Sequence, residues 1–202
     1  MKTTLAIASI RTFAIATVLL LGACAHPMTI TPRAEHLPYS RGTVQKSVAY
    51  VISHADLERQ VTSPGGGGDE VSYYPYRDLE SGLFQTLSSI YSRVTLVRSE
   101  TDQDALKKNR VSMIFFVNIS TSSSSDSILF WPPTEFSVSI KYSVRDVAGG
   151  VLYEGSVHGQ GHADSSEFVT SDMSVAPLAA KRACEDVLRQ FAQQVRNTAP
   201  LM

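Results

Sequence analysis

His158, His162 and Asp164 form the only cluster in this 202-residue chain with metal-ligand chemistry, because neutral imidazoles four residues apart make a familiar zinc pair on a helix. The residues around them alternate as a strand instead. Positions i and i+4 of a strand stand about 13 Å apart, so the two rings share an ion only if the strand ends or bulges near Gly159 and Gly161; solvent-facing polar residues are the simpler reading. Gly65 to Gly68 supply bare backbone N–H groups that could cradle a phosphate, yet no Gly-Lys-Ser/Thr follows and Asp69-Glu70 would repel the anion. They read as a surface loop. Ser, His and Asp are all present, but no Gly-x-Ser-x-Gly elbow occurs, and the run Ser120 to Ser125 reads as a polar hairpin loop. Cys184 lies on the apolar stripe of a helix and is expected as a small core residue. Cys24 differs, since it ends a segment with a basic start (Lys2, Arg11), an apolar run from Phe13 to Leu21 and small residues just before the thiol.

Leu21-Gly22-Ala23-Cys24 resembles a bacterial lipobox. The resemblance implies that residues 1–23 are a signal peptide that is removed, and that Cys24 becomes an acylated first residue carrying chains such as palmitate. Phe13 to Leu21 is too short for a stable transmembrane helix, which asks for roughly 20 residues. In lipoproteins of this class an aspartate after the cysteine commonly retains the protein at the inner membrane. Ala25 stands there, so the resemblance implies the periplasmic face of the outer membrane. The acyl chains would supply the membrane affinity, at about 0.8 kcal/mol per buried CH₂.

Charge and length narrow the remainder. Cleavage would take two of the 18 basic groups and none of the 19 acidic ones, moving the formal charge from −1 to −3. No basic block is left to grip nucleic acid. The mature chain is long enough for one domain with a real core. With Cys24 acylated, Cys184 has no intramolecular partner and no disulfide is expected.

The elements that must position any site follow from periodicity. Residues 24–42 hold Pro27, Pro32 and Pro38 without sustained periodicity, and read as a lipidated tether before a domain over 43–197 and a tail over 198–202. Val44 to Ser53 reads as a buried strand with Val48, Tyr50 and Ile52 on one face. Asp78 is expected to cap a helix carrying Leu79, Leu83, Leu87 and Ile90, with Tyr91. Val94 to Val97 suits a strand, and Asp102 to Lys107 a small helical turn. From Val111 to Ile119 both faces are apolar, as in a central strand covered on both sides. Phe136 to Val144 alternates with polar residues and has one wet face. The turn Asp146-Val147-Ala148-Gly149-Gly150 predicts a hairpin into Val151, Tyr153, Gly155 and Val157. A helix is expected over about Val175 to Arg196, with Pro177 in its first turn and Ala180, Cys184, Val187, Leu188, Phe191 and Val195 as one stripe. The order implies an α+β two-layer sandwich, a mixed or antiparallel sheet with amphipathic helices packed on one face.

The pattern from Leu79 to Val195, with its alternating strands, Gly turn and Ala-rich final helix, resembles YajG-like and transport-auxiliary periplasmic lipoproteins. That resemblance implies a non-enzymatic accessory of an envelope assembly, with a protein partner in the envelope and no cofactor. Candidate contact anchors are Trp131 and Phe130, bounded by Pro132 and Pro133, and Tyr73, Tyr74 and Tyr76 as an aromatic ledge, the alternative being that these rings fold back to cover an end of the sheet. A lipid-anchored envelope hydrolase and a carrier of an apolar ligand held between sheet and helices are the alternatives.

Overall fold

A computed structural model describes residues 25–40, 42–126, 131–164, 166–167 and 177–202. The signal segment, Cys24, Phe130, and Val175 and Ala176 at the expected start of the last helix lie outside the described residues. The strands are β1 (His26–Pro27), β2 (Val44–Val51), β3 (Val61–Pro64), β4 (Glu70–Tyr73), β5 (Tyr91–Val97), β6 (Met113–Ser124), β7 (Glu135–Asp146) and β8 (Val151–His162). The helices are α1 (His54–Leu57), α2 (Pro75–Ser88), α3 (Gln103–Lys108) and α4 (Leu178–Arg196).

The main sheet runs β5-β2-β6-β7-β8, parallel across β5-β2-β6 and antiparallel across β6-β7-β8. It is a mixed sheet, and the architecture is an α+β sandwich. Val48, Tyr50, Met113, Phe115, Ile140, Tyr142 and Val144 join α2 and α4 in one core, built by the alternation and stripe of the sequence. Phe191 sits at its centre, edge-on to Tyr142 with ring centroids 4.9 Å apart and to Phe115 at 6.2 Å. The short α3 packs on the opposite face, where Leu106 meets Ala49, Val97, Val111 and Ile114 in a second, smaller core.

Helix α4 lies unusually close to β8 because Gly159 and Gly161 present no side chain to it. A Cβ at Gly161 would stand 2.0 Å from the Ala179 carbonyl oxygen, and one at Gly159 would stand 2.4 Å from the Val187 nitrogen. β8 is also an edge of the main sheet, and α4 covers part of it. The Gln160 N–H donates to Asp186, and Gln190 donates to the His158 carbonyl. Such cover blunts an edge that would otherwise template strand pairing.

Four expectations change. Residues 25–40 are not a loose tether: Ile30, Pro32 and Leu37 are buried, and the Ile30 N–H donates to Asp78 Oδ2 at 2.9 Å. This arm crosses α2 at Gly82, where a Cβ would press on Leu188 and Pro32. Asp78 therefore does not cap α2, which starts at Pro75; it sits in the helix's first turn as an acceptor for the arm. Residues 198–202 are not a free tail either, since Leu201 is buried and its carbonyl accepts from the Tyr91 hydroxyl at 3.1 Å. The glycine loop is flanked by strands, β3 pairing antiparallel with β4 and β1 adding to β4 in parallel as a second, small sheet. Ser120 to Ser124 are not a hairpin loop but the second half of β6, paired with β7 as far as Ser124 opposite Glu135.

Candidate binding surface

Opposite the helices, the half of the main sheet formed by β6, β7 and β8 carries neither α2 nor α4. Alternation puts Asn118, Ser120, Ser122 and Ser124 of β6 on that side, opposite Lys141, Ser139, Ser137 and Glu135 of β7. The next rank on β8 is Ser156, His158, Gln160 and His162. The β6 and β8 members of these ranks are exposed. Short polar side chains bond across the strands: Ser122 Oγ lies 2.7 Å from Ser137 Oγ, and Ser139 Oγ lies 2.9 Å from His158 Nδ1. The result is a largely polar, solvent-facing surface with open grooves, one lined by Asn118, Lys141, Ser143, Glu154 and Ser156 together with Phe116.

His158 and His162 lie on this surface but are not brought together. The β7–β8 register is continuous from Glu135 opposite His162 to Val144 opposite Tyr153, so there is no bulge at Gly159 or Gly161 to fold the rings toward one another. His162 instead has its own carboxylates, with Nδ1 2.6 Å from Glu135 and Nε2 3.2 Å from Asp164. Hydrogen bonds to Asp164 and then to Glu135 hold its pKa above the usual imidazole range. No group of three or more His, Cys, Asp or Glu side chains suited to a metal ion is present among the described residues. Cys184 is fully buried, and desolvation pushes its thiol well above the usual range, so it is held as a neutral core thiol.

The expected aromatic ledge does not form. Tyr73 and Tyr76 are buried, and their hydroxyls are satisfied inside: Tyr73 Oη lies 2.8 Å from Thr121 Oγ1, and Tyr76 Oη accepts from the Ile119 N–H at 3.1 Å. Their positions explain this. Tyr73 ends β4 and Tyr76 is in the first turn of α2, so both turn toward β6 rather than outward. Tyr74, between them, is half-buried beneath the Arg77 guanidinium, 3.7 Å from its ring centroid. Trp131 is half-buried and stacks on His26 with centroids 4.6 Å apart.

The feature that sequence reasoning missed most completely is a carboxylate clamp. Glu185 on α4 accepts from Arg33 Nε at 2.8 Å and Nη2 at 3.1 Å, and also lies 2.9 Å from His36 Nδ1. Burial alone would raise its pKa, but the hydrogen bonds from the Arg33 side chain, His36 and the Arg33 backbone outweigh it and hold the carboxyl below the usual range. The two partners are about 150 residues apart, so no local spacing announces them. The one available signal is an acidic residue next to Cys184 on the otherwise apolar stripe of α4.

No family model matches this chain, and no curated protein sequence matches it. Several solved structures are similar. Protein XCC0632 from Xanthomonas campestris, of family DUF330, is 11% identical with a TM-score of 0.42, over 84% of this chain and 94% of that one. PelC from Paraburkholderia phytofirmans, a dodecamer, is 16% identical with a TM-score of 0.36, over 75% and 91%. A neuraminyllactose-binding hemagglutinin homologue from Helicobacter pylori is 8% identical with a TM-score of 0.40, over 83% and 91%.

Proposed function

We propose that this chain is a lipoprotein acylated at Cys24, held at the periplasmic face of the outer membrane, and that its domain is a non-enzymatic binding module of an envelope assembly. The observation that carries the binding reading is the polar face of β6, β7 and β8, on which neither α2 nor α4 packs and whose β6 and β8 positions are exposed. A half-sheet covered by helices on one side and, among the described residues, exposed on the other offers a wide contact surface, and its serine hydroxyls and backbone cost little side-chain entropy on docking. Polar sheet faces of this kind suit a protein partner bound largely through hydrogen bonds and bridging water. The space between sheet and helices, where an apolar cargo would sit, is filled by Phe115, Tyr142 and Phe191.

Charge placed on the open face tests this. Ser120→Arg and Ser156→Arg, at exposed positions on β6 and β8, are expected to abolish recovery of partner proteins with the acylated protein from detergent-solubilised envelopes, as read by mass spectrometry, while leaving the melting temperature unchanged. Unaltered co-purification in both variants would remove the face as the interface. Intact mass checks the anchor separately: loss of Met1 to Ala23 with added acyl mass at Cys24, and none in Cys24→Ser.

A further inference from the structure

We propose that the end of the domain bearing Trp131 and the Gly65–Asp69 turn rests in the lipid headgroup layer, so that a protein surface as well as acyl chains meets the membrane. The proposal depends on the acylation of Cys24 argued above, and adds to it an orientation.

Little chain separates the anchor from the fold. A residue spans at most about 3.6 Å, so His26 Cα lies within about 7 Å of Cys24 Cα. His26 is not free to swing. It pairs in β1 with Val71, its Nε2 lies 3.1 Å from Asp69 Oδ2, and its ring stacks on Trp131. The Met28 N–H then donates to the Ser72 carbonyl at 2.9 Å, and Ile30 is locked under Asp78. Trp131 is tied to the same end, because its carbonyl accepts from the Gly66 N–H at 2.8 Å. Gly65 allows that approach, since a Cβ there would stand 2.3 Å from the Trp131 oxygen.

A bilayer of about 40 to 45 Å with a hydrocarbon core of about 30 Å leaves a headgroup layer of roughly 5 to 7 Å on each side. A cysteine whose acyl chains enter the hydrocarbon must lie in that layer. The reach of about 7 Å to a docked His26 is of the same size, and the indole stacked on His26 at 4.6 Å between ring centroids stands within reach of the layer. Trp is the side chain that favours this zone, where an apolar body and a polar N–H are both accommodated. A loose tether would have left Trp131 free to stand anywhere; the docked arm does not.

Attraction between charges does not carry the contact. Residues 25–32 and 61–72 contain no Lys or Arg, and Asp69 and Glu70 are acidic and exposed. The surface is therefore expected to seat on zwitterionic lipid and to be indifferent to salt.

Trp131 is the only tryptophan in the chain and reports on the contact without labelling. The mature acylated protein is reconstituted in phosphatidylcholine vesicles with and without a nitroxide on the headgroup. Trp131 emission is expected to fall in the nitroxide vesicles, equally at low and high salt. Inserting about ten Gly/Ser residues between Ala25 and His26, which adds a mean span of roughly 17 to 19 Å, is expected to restore the emission without changing acylation or vesicle flotation. An acylated, vesicle-bound protein whose emission is the same in both vesicles overturns the orientation, leaves the anchor standing and returns Trp131 to the set of protein-contact candidates. Equal quenching with the insertion also overturns it, because the docked arm would then not set the contact. Absence of acyl mass at Cys24 removes the anchor and this proposal together.

Discussion

Ile30→Ala decides whether residues 25–40 belong to the fold. Ile30 is 0% exposed, and its backbone N–H donates to Asp78. Truncating a buried isoleucine removes its transfer free energy and leaves a cavity, costing about 2 to 5 kcal/mol. The lower half of that range is expected here, because an arm at the domain's margin relaxes into a void more easily than a central strand does. The pairing of β1 with β4 and the Arg33–Glu185 clamp on either side of Ile30 limit that relaxation and keep the cost above about 2 kcal/mol. For a chain of this size 1 kcal/mol shifts the melting temperature by about 2 to 4 °C, so a fall of at least about 4 °C is expected. The assay is thermal and urea unfolding of the acyl-free protein beginning at Ala25. Tyr39→Ala is the control on the same arm, since Tyr39 is 95% exposed and a surface change is worth within about 0.5 kcal/mol. Equal stability of the two variants, both within about 0.5 kcal/mol of the parent, would restore the tether and refute the docked arm.

Two further outcomes follow from the packing and from the clamp. Gly161→Ala should destabilise by about 1 to 3 kcal/mol or more, because the new methyl meets helix backbone that cannot rotate away, and urea midpoints would show it. Gly68→Ala, with open space around it, tests whether clash rather than composition is responsible; it should cost only the strain of its positive φ. The depressed pKa of Glu185 means that its stabilising contribution is present above the unfolded carboxylate range, near pH 4.5, and is lost as pH falls through the lower folded value. Asp78, whose pKa burial raises, has the opposite sign and becomes less unfavourable as pH falls. Comparing urea midpoints from about pH 6 down to about pH 3 should therefore show a steeper loss in the parent than in Arg33→Ala, in which Glu185 has lost its strongest partner. Parallel curves would mean that Arg33 does not hold the carboxylate charged.

What was legible in the sequence was what period alone decides. The strict alternation of Phe136 to Val144, the turn at Asp146 to Gly150 and the stripe of α4 each bury one face whatever lies elsewhere, so β7, β8 and α4 appear as expected. The misreadings share a physical origin. Ser120 to Ser124 alternate between solvent and the β3–β4 hairpin, but both destinations suit a hydroxyl, so the sequence shows no contrast: Ser123 Oγ lies 2.7 Å from Ser63 Oγ, and Thr121 meets Tyr73. Tyr73 and Tyr76 looked like surface aromatics because the β6 groups that meet their hydroxyls, Thr121 and Ile119, are more than 40 residues away. Asp78 had the residue type of a helix cap, yet beside the local Tyr74 backbone its carboxylate accepts the N–H of the distant Ile30. Pro27, Pro32 and Pro38 suggested a spacer, although proline stiffens an extended segment as readily as it ends a helix, and a stiff arm loses less entropy on docking.

Several of the misread segments, the start of the arm among them, converge on one end of the molecule. The arm, the glycine hairpin, the serine half of β6 and Trp131 are each too short or too polar to declare a buried face alone, and each is held by the others. An end assembled from segments far apart in sequence has little local periodicity to reveal it. Its loops are constrained instead by the fold, which is what a surface set directly against a bilayer requires. The open face of β6 to β8 runs from Ser124 and Glu135 at this end to Asn118, Lys141 and Ser156 farther away. Under the proposed anchoring, it is that farther part which stays clear of the lipid while Trp131 meets it.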